Sequence, residues 1–236
     1  MDGVQYAPHR PIDVEALAVD GYVIGLYKIF CVKGLGLAYL SDRLAALPHF
    51  KLAGKPAKNW FLGSPENQTY AAWSTVVDYL CWLGTHFTES ADRRSQLLAA
   101  MERIQKHELN LLDRILQGTD KHFGLTKHPR IRLCGAGGEP SSRVSLVSFN
   151  LDGMTSGQGV AGYRNRFVRV HNRVSDEYSK HTLQALGETE VLRLSACHYN
   201  TPQEIDQFLQ VTQELLEGRV NTDEDEAFIP LNRIGE

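Results

Sequence analysis

A lysine and an aspartate near the start of the chain are the residues whose types best suggest chemistry. Lys28 stands in the run GLYKIF, and Asp2 opens the segment DGVQYAPHRPIDV. A lysine amine can hold an aldehyde as a Schiff base, and a carboxylate can keep a pyridine nitrogen protonated so that the ring withdraws electrons. Together, Lys28 and Asp2 would form half of a pyridoxal phosphate site.

The position of Asp2 restricts this interpretation, because only Met1 precedes it in the sequence. Terminal residues are usually mobile unless a strand or a helix holds them. A cofactor site, in contrast, needs side chains that are fixed by packing and by supporting hydrogen bonds. Two alternatives follow from the sequence: the first residues are docked against the rest of the protein, or the chain is a fragment.

The chain has 236 residues, of which 42% are hydrophobic and 22% are charged. This length and composition are typical of an ordinary globular protein of one or two domains. The net charge is -3 and no basic block occurs, which argues against nucleic acid or an anionic membrane as the main partner. The cysteines form no CxxC pair and no long apolar run occurs, so we expect a soluble cytoplasmic protein. The four cysteines are Cys31, Cys81, Cys134 and Cys197.

The elements that must position Lys28 are a helix at residues 12–19, a strand at 22–26 and a second strand at 35–40. Lys28 would lie in the loop just beyond the first strand, where ligands collect in α/β proteins. A helix should then run from about Pro65 to Gly84, and a long one from Ser90 onward. Apolar residues at spacings of three and four, from Leu97 to Leu116, predict the long helix. We expect this helix to connect two domains.

The residue pattern in the second half of the chain predicts alternating strands and helices after a turn at residues 135–142. Thr201 and Glu204 form a capping-box pattern, with Pro202 at the first helical position, at the start of the last helix. The tail at residues 221–228 is acidic. These signals predict a compact α/β or α+β domain. The predicted strands are residues 143–149, 166–171 and 191–196, and the predicted helices are 156–165, 175–186 and 202–216.

Four segments of the chain, in this order, resemble the C-terminal portion of class V aminotransferases, the family that includes cysteine desulfurases and related pyridoxal phosphate lyases. They are DGVQYAPHRPIDV, YVIGLYKIF, GSPENQTYAAWSTVVDYL and RLSACHYNTPQEIDQFL. The resemblance extends from Asp2 to about Leu216. It implies the α/β fold of a fold type I pyridoxal phosphate enzyme. Residues 1–88 would be part of the large cofactor-binding domain, 89–217 the bridging helix and small domain, and 218–236 an acidic tail.

The same resemblance implies roles for five residues. Asp2 would pair with the pyridine nitrogen, Gln5 would bond the phenolic oxygen, and Lys28 would hold the cofactor covalently and later move protons. Arg193 would bind the substrate carboxylate, which suits the planar fork of a guanidinium. Ser64 would reach the cofactor phosphate from a neighbouring subunit, so the resemblance also implies a homodimer.

Departures from the family pattern qualify these roles. The family's upstream segment, with its phosphate-binding turn and stacking aromatic ring, is not in this sequence, so we expect poor cofactor affinity in this chain alone. Residues 167–192 contain no cysteine, which argues against desulfuration through an enzyme persulfide. Cys197 follows Arg193, and we expect a buried core thiol there. Cys31 stands where relatives tend to have glycine.

Simpler interpretations of these residues stay open. Lys28 could be a solvated loop lysine, Arg193 could form a structural ion pair, and Gln5 and His9 could bond nearby backbone. The helical spacing of Tyr70, Trp73, Tyr79 and Trp82 favours a core or dimer face over a cofactor site. The histidines show no metal-ligand spacing, and we assign no metal.

Two hypotheses for the function result. The first is a truncated pyridoxal phosphate enzyme that acts on an amino acid by transamination or lyase chemistry. The second is a non-catalytic remnant that serves as a dimerisation or interaction partner. A large domain cut before Asp2 would expose apolar faces and strand edges, which predicts that such a chain aggregates or binds something.

Overall fold

The computed structural model describes residues 1–63, 66–135 and 143–223. The chain divides into two compact units, Met1–Lys106 and His107–Glu236, and the boundary lies inside a long helix. Each unit has its own hydrophobic core. No helix among the described residues is both long enough and apolar enough to cross a membrane.

The first unit consists of a β-hairpin followed by helices. Strand β1 (Gly21–Gly25) pairs antiparallel with β2 (Gly36–Leu40), and a 3-10 turn at Leu26–Lys28 follows β1 directly. The two predicted strands are therefore confirmed, with no boundary more than one residue from that expected, while their antiparallel pairing was not predicted. The helices of this unit are α1 (Asp42–Ala45), α2 (Asn67–Thr85) and the first half of α3 (Arg93–Gln117).

Helices α2 and α3 pack closely within the first unit, next to the hairpin. At Gly84 of α2, a Cβ atom would lie 1.9 Å from the backbone oxygen of Gln96, so only glycine permits this approach. Both helices were predicted from their apolar spacing. The core that they share with the hairpin consists of Ala7, Leu26, Ile29, Val76, Leu80, Met101 and Ile104.

The helix predicted at residues 12–19 is wrong, because the chain forms only turns there. The carboxylate of Asp13 accepts hydrogen bonds from the N–H groups of Glu15 and Ala16, which closes a local turn. Ala18 has a φ of 49°, and the Ile12 carbonyl accepts a hydrogen bond from Arg94. A segment this short gains little from helix formation, and side-chain turns compete with it.

The second unit is an antiparallel sheet with the order β3-β4-β6-β5, packed against helices. The α+β alternative of the sequence analysis is the one that occurs. Its strands are β3 (Ile131–Cys134), β4 (Leu146–Leu151), β5 (His171–Val174) and β6 (Glu190–Ser195). Its helices, besides the second half of α3, are α4 (Ser156–Arg164), α5 (Lys180–Ala185) and α6 (Pro202–Leu216).

The predicted strand at residues 166–171 is also wrong, since β5 begins at His171. The preceding residues still wrap around the end of α4: the N–H of Phe167 bonds the Arg164 carbonyl, and that of Val168 bonds the Tyr163 carbonyl. Phe167 has a φ of 59°, a conformation that more often marks a glycine after a helix. Strand β3 was not predicted at all. The last helix and its capping box are confirmed.

Candidate active site

The first residues of the chain are docked against β1 by backbone hydrogen bonds. The N–H of Gly3 donates to the Val23 carbonyl at 2.8 Å, and the N–H of Val23 donates to the Met1 carbonyl at 3.1 Å. These bonds form a parallel bridge between Asp2 and Val23. The backbone of Asp2 is therefore held in place beside the strand that leads to Lys28.

Packing around Gly3 fixes the same segment. Gly3 is buried, and a Cβ atom at this position would lie 2.2 Å from the ring of Tyr22. Burial raises the pKa of the Tyr22 phenol, with smaller contributions from Tyr6 and from the charge of Asp2. The carboxylate of Asp2 is exposed, and its Oδ1 accepts a hydrogen bond from the Val4 N–H at 2.8 Å.

Lys28 ends the 3-10 turn that follows β1, and its side chain is half-buried. Its Nζ donates a hydrogen bond to Oε1 of Gln5 at 3.2 Å and lies 5.8 Å from the centre of the Tyr27 ring. Leu26, the first residue of this turn, and Ile29, the residue just after it, are buried in the core. Two predicted cofactor residues from distant parts of the sequence, Gln5 and Lys28, are thus in contact.

The segment after Gln5 is more deeply buried than a loop of this composition suggests. His9 and Arg10 are only 2% and 5% exposed, and the Arg10 guanidinium bonds the His9 carbonyl at 3.1 Å. Sequence reasoning treated His9 as an ordinary loop residue and did not single out Arg10. The flanking prolines, Pro8 and Pro11, show that the chain is stiff here, but they do not predict burial.

Arg193 lies on β6 of the second unit. It stands opposite Ser148 of β4 and opposite His171 of β5. Its side chain is half-buried, and burial lowers the pKa of its guanidinium, with a further contribution from Arg173. The predicted strand position of Arg193 is confirmed.

Sequence reasoning missed the basic residues beside Arg193. Burial lowers the pKa of His171, and the charges of Arg169, Arg173 and Arg193 act in the same direction. The run RVHNR at residues 169–173 places basic residues at alternate positions. This alternation was the sequence signal for a basic strand face. It was missed because the strand was predicted to begin five residues too early.

Two further residues, Ser64 and Cys197, were singled out from the sequence. Ser64 lies outside the described residues. Cys197 is partly buried, and burial raises the pKa of its thiol, so it is protonated and a weak nucleophile at neutral pH. All four cysteines of the chain are free thiols.

Comparison with known proteins identifies the family. The family model described as aminotransferase class-V matches residues 1–208. The chain is 29% identical over 231 residues to the cysteine desulfurase-like protein ustD of Aspergillus flavus, covering 92% of this chain and 47% of that protein. It is 28% identical over 225 residues to the aminotransferase-like protein FGM3 of Gibberella zeae, covering 92% and 51%.

Solved structures agree in fold. The cysteine desulfurase of Thermococcus onnurineus NA1 superposes with a TM-score of 0.70 at 20% identity, covering 92% of this chain and 52% of that one. The cysteine desulfurase CsdA of Escherichia coli superposes with a TM-score of 0.66 at 21% identity, covering 92% and 51%. This likeness confirms the predicted fold class.

The chain therefore belongs to the class V aminotransferase family. It spans about half the length of the ustD and FGM3 proteins and of the two solved desulfurases.

Proposed function

We propose that the chain is the C-terminal portion of a pyridoxal phosphate enzyme that acts on an amino acid by transamination or lyase chemistry. Lys28 would hold the cofactor, Gln5 and Asp2 would contact its ring, and Arg193 would bind the substrate carboxylate. Ser64 would contribute to phosphate binding from a second subunit of a homodimer. The observation that carries the proposal is the 3.2 Å hydrogen bond between Lys28 and Gln5.

The described residues fit the cofactor. An amine, an amide and a carboxylate come from one hydrogen-bonded unit, in which the Asp2–Gln5 segment runs beside the strand that leads to Lys28. The tight contact between Gly3 and Tyr22 limits the motion of that segment. Fixed side chains of this kind are what a cofactor site needs.

Each residue would have a separate task. When bound, pyridoxal phosphate supplies a ring that accepts negative charge from the substrate Cα. Asp2 would hold a proton on the ring nitrogen, and the amide of Gln5 would keep the Lys28 amine oriented before the cofactor arrives. Lys28 would afterwards move a proton at the substrate Cα, and the guanidinium of Arg193 would orient the amino acid.

An absorbance titration tests the role of Lys28. We expect purified chain mixed with pyridoxal phosphate to develop a visible band that Lys28→Ala lacks. Lys33→Ala is the matched control, because Lys33 is an exposed lysine five residues away and its loss should leave the band unchanged. A band that is equal in all three proteins, or absent in folded wild-type chain, would contradict the proposal.

A second candidate function is supported by exposed apolar side chains. Phe50, Phe61 and Leu62 are 90%, 54% and 62% exposed, and Trp82 on α2 is 58% exposed. Large apolar side chains that are this exposed favour burial against another chain. The alternative is therefore a non-catalytic interaction partner, and it predicts association without any Lys28-dependent band.

A further inference from the structure

One face of the sheet in the second unit carries, beside Arg193, basic side chains that the proposed function does not use. Directly opposite residues of an antiparallel pair project from the same face, so His171 lies beside Arg193. Arg173 is two positions further along β5 and projects from this face too. We call His171, Arg173 and Arg193, together with Arg169 from the segment just before β5, the basic face.

Electrostatic effects within the basic face show that its members are close together. The pKa of His171 is lowered first by burial and then by Arg169, Arg173 and Arg193. The pKa of Arg193 is lowered first by burial and then by Arg173. Residues of a diagonal pair across two strands, such as Arg173 and Arg193, lie about 7–8 Å apart. Both guanidiniums can therefore contact one small ligand.

Two acidic residues of the second unit, Asp176 and Glu188, have contacts of their own among the described residues. Asp176 lies close enough to Arg173 for the arginine to lower its pKa, but its carboxylate mainly accepts the N–H groups of Tyr178 and Ser179. Glu188 pairs with Arg132 and accepts a hydrogen bond from Asn150. Asp176 thus offsets part of the charge of Arg173, while Glu188 has partners at the other end of the sheet.

A neutral amino acid presents one carboxylate, for which the single guanidinium of Arg193 is enough. Arg173 places a second guanidinium beside Arg193, within reach of the same small ligand, and a second carboxylate on that ligand would offset the repulsion between the two guanidiniums. We propose that the basic face binds the side-chain carboxylate of an acidic amino acid, so that the substrate is aspartate or glutamate. This inference rests on the proposed role of Arg193 as the ligand of the substrate's main carboxylate.

Matched amino acids test the inference on the full chain without any cofactor chemistry. L-aspartate and L-asparagine differ by a carboxylate and an amide, and L-glutamate and L-glutamine differ in the same way. We expect one acidic amino acid to bind at least roughly fivefold more tightly than its amide, the size of a partly exposed ion pair. Calorimetry gives the affinity, and the His171 ring signals in NMR locate the ligand.

Two variants decide the origin of any preference. Arg173→Gln should remove the preference for the acid while leaving asparagine or glutamine binding unchanged. Lys127→Gln, which removes an exposed positive charge elsewhere in the second unit, should leave the preference intact. Equal binding of acid and amide, a preference that survives in Arg173→Gln, or no binding of either would overturn the inference. The Lys28-dependent band, recorded separately, shows whether the proposed function itself fails.

Discussion

The hydrogen bond from Lys28 to Gln5 joins side chains that are 23 positions apart in the sequence. The family resemblance could name both residues, because each stands in a recognisable run. No local pattern predicts that they touch, since their contact depends on the parallel bridge between Asp2 and Val23. For the same reason the sequence left open whether Asp2 was docked.

Gly3 gives the clearest test at the residue scale. In Gly3→Ala the new Cβ would lie 2.2 Å from the Tyr22 ring, so either the ring or the Asp2–Gln5 segment must move. We expect a loss of about 1–3 kcal/mol in unfolding free energy, as for other overpacked sites. Urea denaturation monitored by circular dichroism measures this loss.

Gly63→Ala is the matched control, because a Cβ at Gly63 meets nothing within 4 Å. Its unfolding free energy should stay within about 0.5 kcal/mol of wild type. Equal stability of Gly3→Ala and Gly63→Ala would show that the first residues are not packed as described.

At the scale of helices and strands, the long amphipathic elements were predictable and the short ones were not. The stripe on α3 and the capping box of α6 are local signals, and both correspond to observed features. Strand β5 and the turns at residues 12–19 depend on single backbone conformations, at Phe167 and Ala18. Positive φ at a residue other than glycine has no reliable sequence signature.

The pairing of α6 with α3 in the second unit leads to a pH prediction. Arg114 donates two hydrogen bonds to the Asp206 carboxylate, at 2.6 and 2.7 Å. These bonds, with the charges of Arg114, His122 and Lys121, hold the pKa of Asp206 below its ordinary value of 3.8. The stabilisation is therefore fully present above that value and is lost as pH falls through the lowered pKa.

We expect Asp206→Asn to lower stability at pH 6 by up to about 1 kcal/mol, because the pair is partly exposed. Its further loss of stability between pH 6 and pH 3 should be smaller than that of wild type, since the titrating group has been removed. Asp113→Asn, at an exposed position of α3, should keep the wild-type pH dependence. Identical acid sensitivity of Asp206→Asn and wild type would refute the role of the pair.

For the molecule as a whole, the segment at residues 46–63, which follows α1, presents an apolar surface suited to association. The ring of His49 stacks on Trp60 at 4.0 Å, and its two nitrogens lie 3.0 Å from the carbonyl oxygens of Leu47 and Asn59. These contacts hold the segment in a defined shape while it presents Phe50 and Phe61 to solvent. An ordered apolar surface favours a specific partner over disorder.

We expect the chain to form dimers or larger species whose mass rises with protein concentration. The double variant Phe50→Ser with Phe61→Ser should shift this equilibrium toward monomer, because it removes apolar area from the contact. Light scattering coupled to gel filtration measures the mass. Tyr178→Ser, at an exposed aromatic in the second unit, is the control that should not change it. A concentration-independent monomer would argue against this surface as an interface.

Covalent trapping tests the central claim most directly. Wild-type chain, Lys28→Ala and Lys33→Ala would be incubated with pyridoxal phosphate, reduced with borohydride, digested and analysed by mass spectrometry. The account predicts a phosphopyridoxyl group on Lys28 in wild type and in Lys33→Ala, and no comparable site in Lys28→Ala. Labelling spread evenly over exposed lysines, with no preference for Lys28, would contradict it.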